Sequence, residues 1–419
     1  MNVVTFGCRL NSYESDVISE FLDKYNLNNV FVINTCAVTA EAERQALQRI
    51  RKIRREHNGA IIVVSGCAAE VSREKFLKEN IDYLIGNHQK LLESTYKDIA
   101  EKKLPKISFT ELSKTRQLPM NLVYSCNSKV RTFVPIQTGC NYECTFCTVR
   151  EARGPAISFP IDHIIEQVKI FSKYYQEIVL TGVNISAFGI DNNTGIFLPE
   201  LIRIIFKEVP ELRFLSLSSL DPFTVRMDLI ELFANCDRLL PHVHLSIQSG
   251  DNDILRYMKR RHTREYVVHI CKKLKEINPN ITIGADIITG FPHETDECFS
   301  NTFNLVSDAD LDFLHVFPFS RRPRTEAYSM PNQVDKFIAR MRAKKIRDCG
   351  DEKLNKKLQS CIGKKINFFA ETNELGRTFN YIEVMHDMKQ YKDKKDSFDT
   401  VYRGIVKYVD NYKLVVEIC

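Results

Sequence analysis

Cys140, Cys144 and Cys147 fall within eight residues, in the run Gly139-Cys140-Asn141-Tyr142-Glu143-Cys144-Thr145-Phe146-Cys147. Three thiolates so spaced can wrap one face of a cubane iron–sulfur cluster, and nothing nearby supplies a fourth close ligand. One iron is thereby left open to chelate a small molecule, as an open position on any catalytic metal does. A second trio is dispersed: Phe6-Gly7-Cys8, Asn34-Thr35-Cys36 and Ser65-Gly66-Cys67 each place a cysteine at the end of an apolar run. A single cysteine in such a turn is an ordinary small hydrophobe. Three at equivalent positions point to a metal site.

The elements that must position these residues follow from hydrophobic pattern. Residues 3–6, 30–34 and 60–65 are apolar on both faces, as strands covered by helices on each side are, and 12–25 and 41–56 have helical spacing, with Leu47, Ile50 and Ile53 on one stripe. This alternation predicts an α/β fold whose N-terminal part is a doubly wound parallel sheet. Ligand sites in such sheets collect at the carboxyl ends of the strands, which brings Cys8, Cys36 and Cys67 to one edge. Residues 100–130, with Lys102, Lys103, Pro105, Lys106 and Pro119, read as a linker. A second series follows, with strands near 132–138, 178–184, 214–219, 242–248, 281–289 and 312–319, and helices such as 161–175 and 263–277. It predicts a partial or complete parallel barrel with its site at the carboxyl ends of the strands. A helix over 332–358 closes the series, and the remainder reads as a small all-β module.

Composition excludes other classes. A chain of 419 residues, 44% hydrophobic and 27% charged, is folded and accommodates two to three domains. No run approaches the roughly 18 apolar residues of a membrane span, and the first residues read as a strand, so a cytosolic protein with reduced thiols is expected. Thirteen cysteines cannot all pair. Cys126, Cys236, Cys271, Cys298, Cys349, Cys361 and Cys419 lack ligand spacing, and His57, His163 and His315 read as core or surface histidines. The net charge of +6 hides local excess: residues 320–358 carry 12 Lys and Arg against 5 Asp and Glu. Further basic groups cluster at Lys259, Arg260, Arg261, His262 and Arg264, and at Arg49, Arg51, Lys52, Arg54 and Arg55. Such clusters suit a nucleic-acid partner, although a solvated helix face has the same composition.

The Cys-x3-Cys-x2-Cys run at the start of a βα barrel resembles the radical S-adenosylmethionine (SAM) superfamily. With the second trio, the whole length resembles the methylthiotransferases. Thr5-Phe6-Gly7-Cys8-Arg9-Leu10-Asn11-Ser12-Tyr13-Glu14, Asn34-Thr35-Cys36-Ala37-Val38-Thr39 and Glu41-Ala42-Glu43-Arg44-Gln45 are most similar to the branch acting on threonylcarbamoyladenosine at position 37 of tRNA. The branches acting on isopentenyladenosine and on a ribosomal-protein aspartate usually differ in the residue pair between the first cysteine and the asparagine.

The resemblance implies an N-terminal domain (1–110), a radical SAM domain (126–355) and a C-terminal TRAM domain (360–419), the last seen in Phe368-Phe369-Ala370-Glu371 and Arg403-Gly404-Ile405-Val406. It implies two [4Fe–4S] clusters, one on Cys140, Cys144 and Cys147 and an auxiliary one on Cys8, Cys36 and Cys67, with SAM as both radical source and methyl donor. SAM contacts would come from Gly182, Asn184, Ser219, Gln248 and Gly290. The chemistry is borne by the cofactors, so no catalytic side chain is assigned. The implied partners are a tRNA anticodon stem-loop and an electron donor such as a flavodoxin or ferredoxin, for a monomeric cytoplasmic enzyme with no membrane association. A non-catalytic iron–sulfur RNA-binding sensor is the competing reading of another class. The chain departs from the family pattern at Ile157, Ser158 and Phe159, where relatives tend to have arginines, and at Arg324, where glycine is usual.

Overall fold

The computed structural model describes residues 2–112, 119–124, 130–192, 194–387 and 401–419. Cys126 lies outside the described residues. The N-terminal sheet runs through β1 (Val3–Thr5), α1 (Arg9–Lys24), β2 (Val30–Thr35), α2 (Ala40–Glu56), β3 (Ile61–Gly66), α3 (Cys67–Val71), α4 (Arg73–Leu77), β4 (Tyr83–Ile85), α5 (Glu93–Ala100) and β5 (Ile107–Ser108). All five strands are parallel, in the order β1-β2-β3-β4-β5. Val30, Val32, Val63 and Ile85 pack with α1 and α5, whereas Phe31, Ile33, Ile62 and Val64 pack with α2 and α4. Helices cover both faces, yet the strand order never reverses. The crossovers through α1 and α2 step the same way on opposite faces, so they have opposite hands and one is left-handed, against the usual preference. The consequence is chemical: β1, β2 and β3 lie side by side, and their carboxyl ends deliver Cys8, Cys36 and Cys67 in a row.

The described residues of the 100–130 stretch are tied to both neighbouring domains. β5 adds a strand from it, the Tyr13 hydroxyl donates to the Asn121 carbonyl at 2.7 Å, and Gln167 bonds both the N–H and the C=O of Val123 at 2.8 Å. A two-residue edge strand leaves no periodic signal, which is why pattern alone misses it.

The central domain is built from β6 (Arg131–Thr138), α6 (Val149–Arg153), β7 (Ile157–Ser158), α7 (Ile161–Ser172), β8 (Glu177–Gly182), α8 (Leu198–Glu208), β9 (Phe214–Leu217), α9 (Met227–Asn235), β10 (His242–Gln248), α10 (Asn252–Tyr257), α11 (Arg264–Ile277), β11 (Thr282–Thr289), α12 (Asp296–Asp308), β12 (Phe313–Pro318), α13 (Glu326–Ser329) and α14 (Lys336–Gln359). β6, β8 and β9 form one parallel group and β10, β11 and β12 another, joined by bridges Leu215–Leu239 and Leu220–Leu245. The result is a six-stranded partial barrel, with α1 packed against β6 at its open side. Leu180, Leu217, Leu245 and Ile283 pack outward with the helices. By alternation, Glu177, His244 and Asp286 face the lumen. Helix starts follow local chemistry: the hydroxyls of Thr263 and Thr295 and the carboxylates of Asp251 and Asp335 cap α11, α12, α10 and α14.

The chain ends in a closed barrel of β13 (Lys365–Ala370), β14 (Leu375–Thr378), β15 (Glu383–Met385), β16 (Val401–Asp410) and β17 (Lys413–Ile418), as a TRAM module requires. It closes the amino-terminal mouth of the larger barrel. Phe369 and Phe379 pack on Phe214, Tyr381 stacks on His242 at 4.4 Å, and Arg377 forms a buried ion pair with Glu177. No helix among the described residues is long and apolar enough to cross a membrane.

Candidate active site

Each cysteine trio sits where a chain reversal exposes backbone N–H groups. Gly7 (φ +97) and Gly66 (φ +99) turn the chain ahead of Cys8 and Cys67. A Cβ on Gly7 would lie 2.5 Å from the Cys36 sulfur, so glycine is what lets these two turns approach. Gly139 (φ +67) does the same ahead of Cys140, where a Cβ would meet the Pro155 carbonyl at 1.9 Å.

The six sulfurs share a property. N–H groups point at every one: Asn11 N at Cys8, Val38 N at Cys36 (3.4 Å), Arg153 Nε at Cys67 (3.2 Å), Tyr142 N at Cys140 (3.4 Å), Arg260 Nη1 at Cys144 (3.6 Å) and Val149 N at Cys147 (3.4 Å). Of the other described cysteines, Cys361 donates to the Lys357 carbonyl, Cys271 is buried in the apolar core, and Cys298 accepts at 3.2 Å from the Thr295 hydroxyl and not from an N–H. Burial pushes the free thiols up, Cys36 and Cys147 to about 12 and Cys140 to about 11. They are therefore protonated when free at neutral pH, and a bound metal centre has to displace those protons. Donors aimed at sulfur favour the thiolate, so the six residues fit iron–sulfur ligation.

Buried charges link the two trios. Arg153, which ends α6 just after the Cys140–Cys147 loop, bonds Glu14 through Nη1 (2.7 Å) and Nη2 (2.9 Å), Asn11 Oδ1 (2.6 Å) and the Cys67 sulfur. Lys90 reaches the same Glu14 at 2.7 Å and Asn34 at 3.1 Å. Burial opposes the charge on Glu14, and Arg153 and Lys90 more than offset it, lowering its carboxyl to about 2.

The residues expected to meet SAM stand at one rim of the barrel. Gly182 ends β8, Gln248 ends β10 at φ +74, Ser219 follows β9 and is exposed, and the N–H of buried Asn184 donates to Gln137 at 2.9 Å. Arg260 ties this rim to the cysteine loop, bonding the Ser246 carbonyl at 2.7 Å and Asp221 at 3.2 Å. Gly290 (φ +72) serves the turn: its N–H is taken by Glu294 and α14 lies against it, so a Cβ would fall 2.2 Å from that of Ala339.

Pattern missed the lumen. His244 and His315 flank Asp286 at 3.0 and 3.4 Å, on three adjacent strands. Burial opposes the Asp286 charge, and the two histidines outweigh it, holding the carboxyl well below its usual range. His315 is therefore part of a cluster, whereas His57 packs at a tilt against Phe31 and His163 stacks on Phe159 as ordinary packing residues. The one available signal was His242-Val243-His244, whose alternation places two imidazoles on one strand face.

The basic excess over 320–358 is largely consumed internally. Arg322 pairs with Glu43 of the N-terminal sheet, Arg342 with Glu294 and Asp296, and Lys353 and Lys357 with Asp310 and Asp312. Lys336, Arg340 and Lys345 stay exposed on α14 beside Phe337, which is 68% exposed. Arg260 and His262 point inward. The departures from family pattern also gain an account. Arg324 keeps the left-handed backbone (φ +70) that glycine favours and pairs with Glu151, while Ile157 and Phe159 line a cleft together with Tyr13, Val17 and Arg153, the arginine whose Nε bonds the Cys67 sulfur.

A six-stranded partial barrel whose first strand runs into Cys-x3-Cys-x2-Cys defines a radical SAM enzyme. The Radical SAM superfamily model matches residues 134–306, and the model described as Uncharacterized protein family UPF0004 matches 1–86. The chain is 42% identical to Threonylcarbamoyladenosine tRNA methylthiotransferase MtaB of Rickettsia prowazekii, over 92% of this chain and 91% of that protein. It is 31% identical to tRNA-2-methylthio-N(6)-dimethylallyladenosine synthase of Pelagibacter ubique, over 92% and 91%. The fold is similar to that of TsrM from Kitasatospora setae, a radical S-adenosylmethionine methyltransferase solved with cobalamin and a [4Fe–4S] cluster (TM-score 0.60, 16% identity, 75% of this chain and 74% of that one). The chain belongs to the methylthiotransferase family of radical SAM enzymes. Membership implies a [4Fe–4S] cluster and SAM.

Proposed function

We propose that the enzyme replaces the C2 hydrogen of N6-threonylcarbamoyladenosine at position 37 of tRNA by a methylthio group. Two sulfur-ligand sets, each supplied with N–H donors, carry this reading, because a carbon without an acidic proton or leaving group calls for radical chemistry and the added sulfur needs a second site. Cys140, Cys144 and Cys147 would hold the cluster that binds SAM, and Cys8, Cys36 and Cys67 an auxiliary [4Fe–4S] cluster. When bound, the first cluster with SAM would supply radical chemistry and the second would supply the sulfur, with SAM also the methyl donor. The chain's own residues would orient SAM from Gly182, Asn184, Ser219 and Gln248, with Gly290 shaping the rim. Exposed Lys336, Arg340 and Lys345 with Phe337 suit phosphates and an unstacked base of an anticodon stem-loop. The substrate branch is favoured by the 42% identity to one threonylcarbamoyladenosine enzyme, against 31% and 34% to two dimethylallyladenosine enzymes.

Nucleoside mass spectrometry of tRNA from a strain lacking the gene is expected to show loss of 2-methylthio-threonylcarbamoyladenosine. An unchanged level would overturn the substrate assignment. A narrower expectation concerns Arg260, whose guanidinium is 3.6 Å from the Cys144 sulfur. Arg260→Gln removes a positive charge beside the reducible centre, so its midpoint should move more negative, by on the order of 50 mV. A potentiometric titration read by electron paramagnetic resonance measures this.

A further inference from the structure

Arg9 follows Cys8 directly and begins α1, yet its guanidinium reaches the floor of the larger barrel. There Nη2 donates to the Tyr381 hydroxyl at 2.9 Å, and Arg131 donates to the same oxygen at 3.3 Å. The Tyr381 ring lies beneath Arg9 (5.9 Å), Arg131 (5.7 Å) and Arg377 (4.7 Å) and stacks on His242. The three cations are unequally matched. Arg377 has Glu177 and Glu371, and Arg131 has Glu371 at 3.9 Å. Among the described residues, Arg9 has a phenol and no carboxylate. A guanidinium offers five N–H donors, and one neutral oxygen leaves most of them without a protein acceptor. Asp286 does not supply the missing charge, because His244 and His315 already engage it.

This lumen therefore has an excess of positive charge and of unfilled donors, a single arginine side chain away from the Cys8 turn. We infer that Arg9, steadied by Tyr381, binds the carboxylate of the threonylcarbamoyl group and thereby selects the substrate. The inference rests on the threonylcarbamoyladenosine reading above and deepens it. On the adenine ring, C2 and C6 both flank N1, so whatever holds the N6 substituent also governs where C2 lies. The threonyl group ends in a carboxylate that a guanidinium fork can bind through two hydrogen bonds. A dimethylallyl group would set hydrocarbon against the same guanidinium and leave its donors unfilled.

The test measures binding of anaerobic holoenzyme, with both clusters reconstituted, to anticodon stem-loops differing only at position 37: the threonylcarbamoyl acid, its neutral methyl ester, dimethylallyladenosine and unmodified adenosine. Wild type should prefer the acid to the ester by roughly 10- to 100-fold, the range of a charge-assisted pair. Arg9→Gln should erase that preference while binding the ester as before, Arg9→Lys should keep part of it, and Tyr381→Phe should reduce it a few-fold. Iron per chain reports whether each variant still loads its clusters. If Arg9→Gln does not, the wild-type acid-to-ester ratio and Tyr381→Phe, which lies in the C-terminal barrel, decide.

A wild type indifferent to acid and ester would overturn the inference, as would an Arg9→Gln variant that keeps the preference. Equal weakening toward all four RNAs would assign Arg9 to a backbone phosphate, and overturns it too. The substrate reading fails separately, if wild type methylthiolates the dimethylallyl stem-loop and leaves the threonylcarbamoyl one untouched.

Discussion

Cys8→Ala is expected to abolish methylthio transfer while 5′-deoxyadenosine formation from SAM persists, with iron falling from about eight to about four per chain. Cys8 is the informative member of its trio because its removal strands no buried charge, only the Asn11 N–H that points at its sulfur. It is exposed at the turn after β1, whereas Cys36 and Cys67 are buried. The Cys67 sulfur accepts from buried Arg153, so Cys67→Ala would damage the contact between sheet and barrel as well as any ligand set. Cys140→Ala should instead eliminate both SAM cleavage and transfer. Anaerobic incubation with SAM, a strong reductant and a modified stem-loop, followed by chromatography of both products, separates these outcomes. If Cys8→Ala loses SAM cleavage with its iron otherwise intact, the division of labour between the trios is wrong. Transfer surviving in Cys8→Ala would remove Cys8 from the site.

Glu14→Gln should be the most destabilising single-atom change available near the site. One carboxylate faces two buried cations, Arg153 and Lys90, and amidation leaves both without a counter-charge. Removing one partner of such a group costs about 3–5 kcal/mol. In a chain of this size that is roughly a 5 °C fall in melting temperature. The pH dependence has a definite sign. The folded carboxyl titrates at about 2, below its ordinary 4.5, so its contribution is full above about 4.5 and is lost as pH falls toward 2. Wild type should lose stability across that window, and Glu14→Gln should lack this part of the loss. Thermal melts of both proteins between pH 2 and pH 7 measure it. A variant within 1 kcal/mol of wild type at neutral pH would mean that water already screens the group.

Much of the fold was legible because its signals are local. The apolar runs of β1, β2 and β3, the alternation that places six strands in the central barrel, and the Cys-x3-Cys-x2-Cys spacing are each written within a few tens of residues. The strand-end positions of Cys8, Cys36 and Cys67 then suffice to gather them, since parallel strands share a carboxyl edge. Sequence could not show that the α1 and α2 crossovers have opposite hands, because periodicity does not record which face of the sheet a helix covers.

The remaining decisions are long-range pairings of charge. Arg153 meets Glu14 from 139 residues away, Arg322 meets Glu43 across 279, and Arg9 meets Tyr381 across 372. No spacing rule connects such residues, so a basic stretch that looks free for RNA on paper turns out to hold domains together. Sequence by itself determined the two ligand sets and the strands that carry them. The tertiary structure alone decided which cations are already matched and which one, at the floor of the barrel, has no carboxylate partner among the described residues, because burial and proximity are properties of the packed chain.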